Sequence, residues 1–199
     1  MFLPGPFAQS EVVLIRHAPA AAEGRLCGRS DVPARIDAAP GLAATRAVLD
    51  GIAQHAVSPA LRCRQTFAAL WPDLPLPEPD DRLWEQDFGA WEGRDFHAIP
   101  DLGPLTGAAL AAHRPPQGES FDDLCARVHP ALQEKAAQAL DGGPVAVVAH
   151  AGTVRAALAL ALGGSAAALL FEVAPLSLTR LRALPGGGLS VVCTNWSPQ

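Results

Sequence analysis

The sequence has no tyrosine, one methionine and few charges of either sign. Charged residues make up 18% and aromatic residues 6% of its 199 positions, whereas 49% of the positions are hydrophobic. Enough apolar side chain is therefore present for a sizeable core, and the composition argues against extensive disorder. The length fits a single domain over residues 1–199, with room for a modest cap.

An excess of basic residues is also missing. The chain has 15 lysine and arginine residues against 20 aspartate and glutamate residues, which gives a net charge of −5 with histidine neutral. It therefore lacks a basic surface for nonspecific binding to nucleic acid. An anionic ligand would have to be held by a local cluster of arginines.

Paired cysteines and long apolar segments are absent as well. The four cysteines lie far apart, with no CxxC pair and no tight zinc-ligand spacing, so we expect reduced thiols and a cytoplasmic protein. The first ten residues contain two prolines and no lysine or arginine, unlike a signal peptide. The most apolar stretch, residues 156–171, is interrupted by Gly163 and Gly164. It is too short to span a bilayer, so no membrane partner is expected.

Short β-branched runs alternate with helical patterns along the chain. Residues 11–16 and 145–149 have the composition of buried strands, and Ser58 can cap a helix that begins at Pro59. Other predicted helices lie at 41–54, 119–140 and 153–162, and a C-terminal hairpin at 176–184 and 189–194. This order predicts an α/β fold, a three-layer sandwich with a mostly parallel central sheet flanked by helices. The proline-rich residues 71–118 are predicted to form a small insertion over the site.

Two of the predicted strands end in histidine. Arg16 and His17 follow the first strand, and His150 follows residues 145–149. Ligands of such sheets bind at the carboxyl ends of the strands, so both imidazoles should face one crevice. After His150 the chain turns into a helix, where Gly152 would let an anion approach the free N–H groups.

His17 has the chemistry of a nucleophile. A neutral imidazole, with a usual pKa of about 6.5, can attack phosphorus without a separate base. The alternative is a hydrogen-bonded histidine at a strand end, but the guanidinium of the neighbouring Arg16 needs an anion. Arg62 has a fork that can hold two phosphoryl oxygens, with a solvated helix charge as the alternative.

A proton donor for a leaving group is expected in the segment LWEQDFGAWEG. Glu85 lies beside Trp84 and near Phe88, and desolvation by such neighbours favours the protonated carboxyl that an acid catalyst needs. Asp87 and Glu92 are close in sequence, and spacing alone leaves the choice among the three open.

The loop after His17 contains Arg25, Gly28 and Arg29. Its backbone amides and one guanidinium could wrap around a substrate. An ordinary surface loop is an equally open interpretation.

Five segments together resemble one known family. VVLIRHAP, CGRSDVP, SPALRCRQT, LWEQDFGAWEG and VAVVAHAGTVR occur in this order from residue 12 to about residue 160. The chain thus resembles the histidine phosphatase superfamily, which includes phosphoglycerate mutases, and CGRSDVP looks closest to its alpha-ribazole phosphatase branch. The family usually has glycine after the nucleophilic histidine, whereas this chain has Ala18.

The resemblance implies a role for each site residue. His17 would be the phosphorylated histidine, and Glu85 would be the proton donor. Arg16, Arg62 and His150 would complete the phosphate pocket. The resemblance also implies that no metal and no organic cofactor takes part.

These observations predict a metal-independent phosphomonoesterase that hydrolyses a small phosphorylated metabolite through a phosphohistidine intermediate. Its expected partner is a small-molecule phosphomonoester, and a homodimer is left open. One alternative is a phosphoglycerate-type mutase, which needs a well-closed lid over the intermediate. Another is a non-catalytic protein that binds a phosphorylated ligand.

Overall fold

A sheet with the strand order β2-β3-β1-β4-β5 lies at the centre of the protein. The computed structural model describes residues 6–37 and 39–198. The strands are β1 (Glu11–Arg16), β2 (Gln54–Val57), β3 (Val145–Ala149), β4 (Leu178–Ala183) and β5 (Leu189–Trp196). The two predicted buried strands and the C-terminal hairpin are therefore confirmed.

The direction of pairing changes within the sheet. β1 and β2 each pair with β3 in parallel, whereas β4 pairs antiparallel with β1 and β5 pairs antiparallel with β4. The fold is α/β as predicted, but the sheet is mixed rather than mostly parallel. The turn at residues 184–188 is too short for the crossover that a parallel pair requires, so β5 returns antiparallel to β4.

Helices cover both faces of the sheet and complete the predicted three layers. They are α1 (Leu42–Val48), α2 (Leu61–Leu70), α3 (Gly107–Ala112), α4 (Phe121–Gly142), α5 (Ala151–Leu162) and α6 (Ser165–Ala168). Side chains of β1 alternate between the faces. Val12 and Leu14 share a buried cluster with α4 and α5, and Val13 and Ile15 share another with α2.

All four predicted helices have bounds that differ from the sequence prediction, most of all at the end of α1. α1 ends at Val48, and the chain soon turns at Gly51, which has a φ of 82°. α2 begins at Leu61 rather than at Pro59, and the amide of Leu61 donates to Oδ1 of Asp31 at 2.6 Å. The hydroxyl of Ser58, predicted to cap this helix, accepts the amide of Ala60 at 3.4 Å and also lies 2.7 Å from Nε2 of His150.

Residues 71–118 consist mainly of irregular loop, with three single-turn 3₁₀ helices (Asp81–Leu83, Gly89–Trp91 and Phe96–Ala98) and the short helix α3 near their end. This segment packs on the loop after β1, because the amide of Gly93 donates to the carbonyl of Leu26 and the amide of Leu26 donates to the carbonyl of Arg94. The insertion therefore covers the loop that was predicted to contact a substrate. Its status as a separate cap stays a prediction.

Candidate active site

The ends of β1 and β3 bring His17 and His150 together. The centroids of the two imidazole rings are 5.2 Å apart, and the ring planes are inclined by 69°. Both side chains are buried, and the amide of His17 donates to the carbonyl of Ala149. The shared crevice predicted from the two strand ends is present.

The two ring nitrogens of His17 have different partners. Nδ1 lies 2.7 Å from the carbonyl oxygen of Ala18, and because that oxygen can only accept, Nδ1 carries the proton. Nε2 then has a lone pair, which accepts a 3.3 Å hydrogen bond from Nε of Arg62. Burial, and after it the charge of Arg62, lowers the pKa of His17 to about 3. The imidazole is therefore neutral at pH 7, with Nε2 as the nucleophilic atom.

Ala18, which replaces the usual glycine, is fully buried. Its amide donates to Oγ1 of Thr66 at 2.9 Å, and that hydroxyl donates to the carbonyl of Arg62 at 2.7 Å. The methyl group is accommodated, and the Ala18 peptide links the end of β1 to helix α2. This peptide thereby fixes the position of His17 relative to Arg62.

Arg62 and Arg16 supply the positive charge of the pocket. Arg62 is 1% exposed, and its Nη2 and Nη1 donate to the carbonyls of Gly28 at 2.6 Å and Ser30 at 3.0 Å. Arg16 donates through Nη1 to the carbonyl of Val173, while its buried Nε has no partner among the described residues. Burial lowers the pKa of Arg16. An anion would supply the acceptor that this buried donor lacks.

His150 is fully buried, and its ring contacts helix α2 and the residue that follows β2. Nε2 lies 2.7 Å from Oγ of Ser58 and 3.5 Å from Sγ of Cys63. Burial, followed by the neighbouring His17 and Arg62, lowers the pKa of His150 well below its usual value. Without a ligand the charge of the pocket therefore comes from its arginines, and protonation of His150 would require an arriving anion.

Glu85 lies against the first turn of helix α5. Its Oε2 accepts the amide of Gly152 at 3.1 Å and its Oε1 accepts the amide of Gln86 at 2.9 Å. A Cβ atom at Gly152 would lie only 2.0 Å from Oε1 of Glu85. The missing side chain of Gly152 thus gives room to Glu85, and its amide donates to that carboxylate. A contact between Gly152 and a phosphate stays a prediction.

Asp87 and Glu92, the other candidate acids, are bound to the backbone. Asp87 accepts the amide of Gly89 at 2.7 Å. Glu92 accepts the amides of Gly28 at 3.1 Å and Arg29 at 2.8 Å. The amides of Gly28 and Arg29 are thus bound by a carboxylate of the protein itself, and a substrate contact of these two residues stays a prediction.

The side chain of Arg29 stays a candidate substrate contact. Its guanidinium carbon lies 5.4 Å from the ring centroid of Trp84, and the nearest carboxylate, of Glu119, is 3.9 Å from Nη2. Trp84 in turn stacks on His150 with a centroid distance of 6.4 Å. The ring of Trp84 thus contacts both the guanidinium of Arg29 and the ring of His150.

Sequence reasoning missed several residues that hold the site in place. Ser58 and Thr66 contact His150 and the Ala18 peptide, and they lie four residues before and four after Arg62 in SPALRCRQT. Arg127 donates to the carbonyls of Trp84 and Glu85, at 3.0 and 3.2 Å. The symmetric spacing around Arg62 was a usable signal for the first two, whereas Arg127 has no comparable local signal.

Within residues 6–37 and 39–198, no group of three or more His, Cys, Asp or Glu side chains could hold a metal ion. The independence from metal stays a prediction. Nor is any helix in this part of the chain long and apolar enough to cross a membrane.

The family of the chain follows from comparison with known proteins. The family model of the histidine phosphatase superfamily (branch 1) matches residues 12–196, so the chain belongs to this family. The bifunctional protein Rv2228c of Mycobacterium tuberculosis (strain ATCC 25618 / H37Rv) is 33% identical over 159 residues, which cover 75% of this chain and 42% of that protein. The chain therefore spans less than half the length of the curated relatives it matches.

Solved structures with the same fold include phosphatases. Mycobacterial hydrolase 2 has a TM-score of 0.81 at 26% identity, over 96% of this chain and 92% of that one. Mycobacterial glucosyl-3-phosphoglycerate phosphatase Rv2419c has a TM-score of 0.80 at 25% identity, over 94% and 99%. The alpha-ribazole phosphatase from Shigella flexneri, at 21% identity and a TM-score of 0.76 over 94% and 96%, shares the fold. The family model thus gives the family of the chain, and the solved structures share its fold.

Proposed function

We propose that this chain is a phosphomonoesterase that hydrolyses a small phosphorylated metabolite through a phosphohistidine on His17. The observation that carries the proposal is the tautomer of His17. Its Nδ1 carries the proton, and its buried Nε2 has a lone pair directed at the guanidinium of Arg62. A phosphoryl group bound by Arg16 and Arg62 would meet a nucleophile that needs no deprotonation.

The proposed reaction has two steps. Nε2 of His17 attacks phosphorus, the bond from phosphorus to the alcohol oxygen breaks, and the carboxyl of Glu85 gives that oxygen a proton. A water molecule then attacks the phosphohistidine while Glu85 takes its proton, the N–P bond breaks, and phosphate leaves. The transferring group carries spread negative charge, so the protein contributes mainly position and positive charge.

Glu85 must hold a proton in the first step and accept one in the second. Its carboxylate faces the same pocket as Arg16, with which it interacts electrostatically. The amides of Gln86 and Gly152 then hold the ionised form between the two steps.

An apolar cavity of about 230 Å³ lies between the insertion and the rest of the protein, with Leu26, Phe88, Trp91 and Phe121 in its walls. Phe88 and the carbonyl of Gln86 also contact Gly28, whose own carbonyl binds Arg62. This arrangement supports testing aromatic and aliphatic phosphate esters beside polar ones.

Substrate screening distinguishes the proposed phosphatase from its alternatives. The substrate panel contains alpha-ribazole phosphate, phosphoglycerates, sugar phosphates and aryl phosphates. For each compound, the release of inorganic phosphate and the identity of the product are measured. A phosphatase releases phosphate, a mutase isomerises without release, and a binding protein does neither. The cytoplasmic location and a homodimer stay predictions.

Acid and base quenching tests the intermediate. Protein quenched in base during turnover of a ³²P-labelled ester should keep its label, whereas acid should release it, because phosphohistidine is acid-labile. His17→Ala should remain unlabelled. Label retained in this variant would assign the phosphoryl group to another residue.

A further inference from the structure

We propose that Glu92 is a positioning residue for Arg62, and that it acts through the 28–30 loop (Gly28, Arg29 and Ser30). The proposal rests on the phosphatase function proposed above. It gives a role to a carboxylate that is otherwise a rival candidate for the acid catalyst.

One side of the 28–30 loop is bound by the carboxylate of Glu92. The amides of Gly28, Arg29 and Ser30 donate to it at 3.1, 2.8 and 3.1 Å, and Oγ of Ser30 donates at 2.6 Å. Three consecutive N–H groups thus converge on one anion. These hydrogen bonds outweigh the opposing effect of burial and lower the pKa of Glu92.

The other side of the same loop is bound by Arg62. Its Nη2 and Nη1 donate to the carbonyls of Gly28 at 2.6 Å and Ser30 at 3.0 Å. Both terminal nitrogens of the guanidinium are therefore oriented by the loop, which leaves Nε facing Nε2 of His17. The position of the loop therefore sets the orientation of the N–H groups of Arg62 that would bind phosphate.

The carboxylate of Glu92 binds N–H groups of the 28–30 loop, and the guanidinium of Arg62 binds its carbonyl groups. Glu92 has no ion pair among the described residues, so its charge is balanced by loop amides. The peptide between Gly28 and Arg29 links the two charges directly, because its N–H donates to Glu92 and its carbonyl accepts from Arg62. Hydrogen bonds in such a chain strengthen one another, because each polarises the next. Gly28 is required for this close packing, since a Cβ there would lie 1.8 Å from the carbonyl oxygen of Gln86.

A double-mutant cycle tests the proposal. Glu92→Gln removes the charge and places N–H groups opposite N–H donors, so the loop and Arg62 should shift. On p-nitrophenyl phosphate kcat/KM should fall about 10²-fold, as for a misplacement of about 1 Å. The affinity for inorganic phosphate, measured by calorimetry, should fall about tenfold. In an Arg62→Lys background the same change should cost less than about threefold, because the oriented fork is already lost.

Asp123→Asn is the matched control. Asp123 also collects several donors, the amide and hydroxyl of Ser120 and the guanidinium of Arg114, but it does not contact the 28–30 loop. This variant should lower the melting temperature and leave kcat/KM within about twofold of the wild type, because the partners of Asp123 are Ser120 and Arg114 and not the reacting groups.

Several outcomes would overturn the proposal. Equal losses from Glu92→Gln with and without Arg62→Lys would show that the two residues act independently. A loss on alkyl phosphates only would make Glu92 a proton donor. If Glu92→Gln does not fold, Ser30→Ala and Glu92→Asp replace it. If these variants lose as much kcat/KM in the Arg62→Lys background as in the wild-type background, the proposal is overturned in the same way. Absence of turnover in the wild type contradicts the proposed function instead, and phosphate binding still tests the role of Glu92.

Discussion

Gly152→Ala is the change that most directly probes how Glu85 is placed. The new Cβ would lie 2.0 Å from Oε1 of Glu85 and 2.8 Å from a methyl carbon of Leu124. Real Cβ contacts are not shorter than 3.0 Å, so the carboxylate oxygen has to move by about 1 Å or more. Because that oxygen is the end of a flexible side chain, Glu85 can swing away without disrupting the fold.

Activity should therefore suffer more than stability. Overpacking against Leu124 costs about 1–3 kcal/mol, and replacing glycine by alanine in a helix returns about 1 kcal/mol. A net loss of about 1 kcal/mol lowers the melting temperature by about 2–4 °C in a domain of this size. A misplacement of about 1 Å in a catalytic group costs about 10²-fold in rate, or about 2.7 kcal/mol in the barrier.

The assay compares kcat/KM on an alkyl phosphate and on p-nitrophenyl phosphate. Gly152→Ala should lose about 10²-fold on the alkyl ester and much less on the nitrophenyl ester, whose leaving group is stable without a proton. Gly164→Ala is the control, since a Cβ at Gly164 meets no atom within 4 Å. Equal losses on both substrates would refute this reasoning and would favour a direct contact between the Gly152 amide and phosphate.

Three further predictions concern the acid, the nucleophile and metal. Glu85→Gln should lose about 10²–10⁴-fold of its turnover rate on alkyl phosphates and much less on p-nitrophenyl phosphate, provided that a burst experiment shows phosphorylation to limit turnover. If Asp87→Asn shows this pattern and Glu85→Gln does not, Asp87 is the acid. His17 has a folded pKa of about 3 against about 6.5 when unfolded, so the unfolded chain takes up the proton first and stability is lost as the pH falls from 6.5 towards 3. His17→Ala should flatten this loss in urea titrations, and parallel curves for the two proteins would contradict it. Activity should survive exhaustive chelation, and a loss reversed by one added metal would refute the proposed mechanism.

The sequence predicted those features that depend on local pattern. β1 and β3 are continuous apolar runs, and the glycine-rich turn at residues 184–188 defines a hairpin, so these elements were predictable. The position of the hairpin beside β1 depends on long-range pairing. The parallel character of the sheet was overestimated for that reason.

The histidine pair was predictable because strand ends meet in such sheets, but the state of each ring was not. The pKa of His17 depends on burial and on Arg62, which is 45 positions away in the chain. Likewise, Ser58 was read as a helix cap because serine before a helix usually is one. Ser58 and His150 are 92 positions apart in the sequence, so no local sequence pattern could predict their contact.

The three carboxylates of the segment LWEQDFGAWEG show why spacing could not assign their roles. Glu85, Asp87 and Glu92 lie within eight positions of one another, yet each meets a different set of donors. Asp87 closes a turn on Gly89, and Glu92 holds the 28–30 loop. The carboxylate of Glu85 alone among the three lies against helix α5, directly after His150. Because a carboxylate saturated by loop amides has little freedom to transfer a proton, the partners of the three residues favour Glu85 as the acid, and the leaving-group experiment decides it.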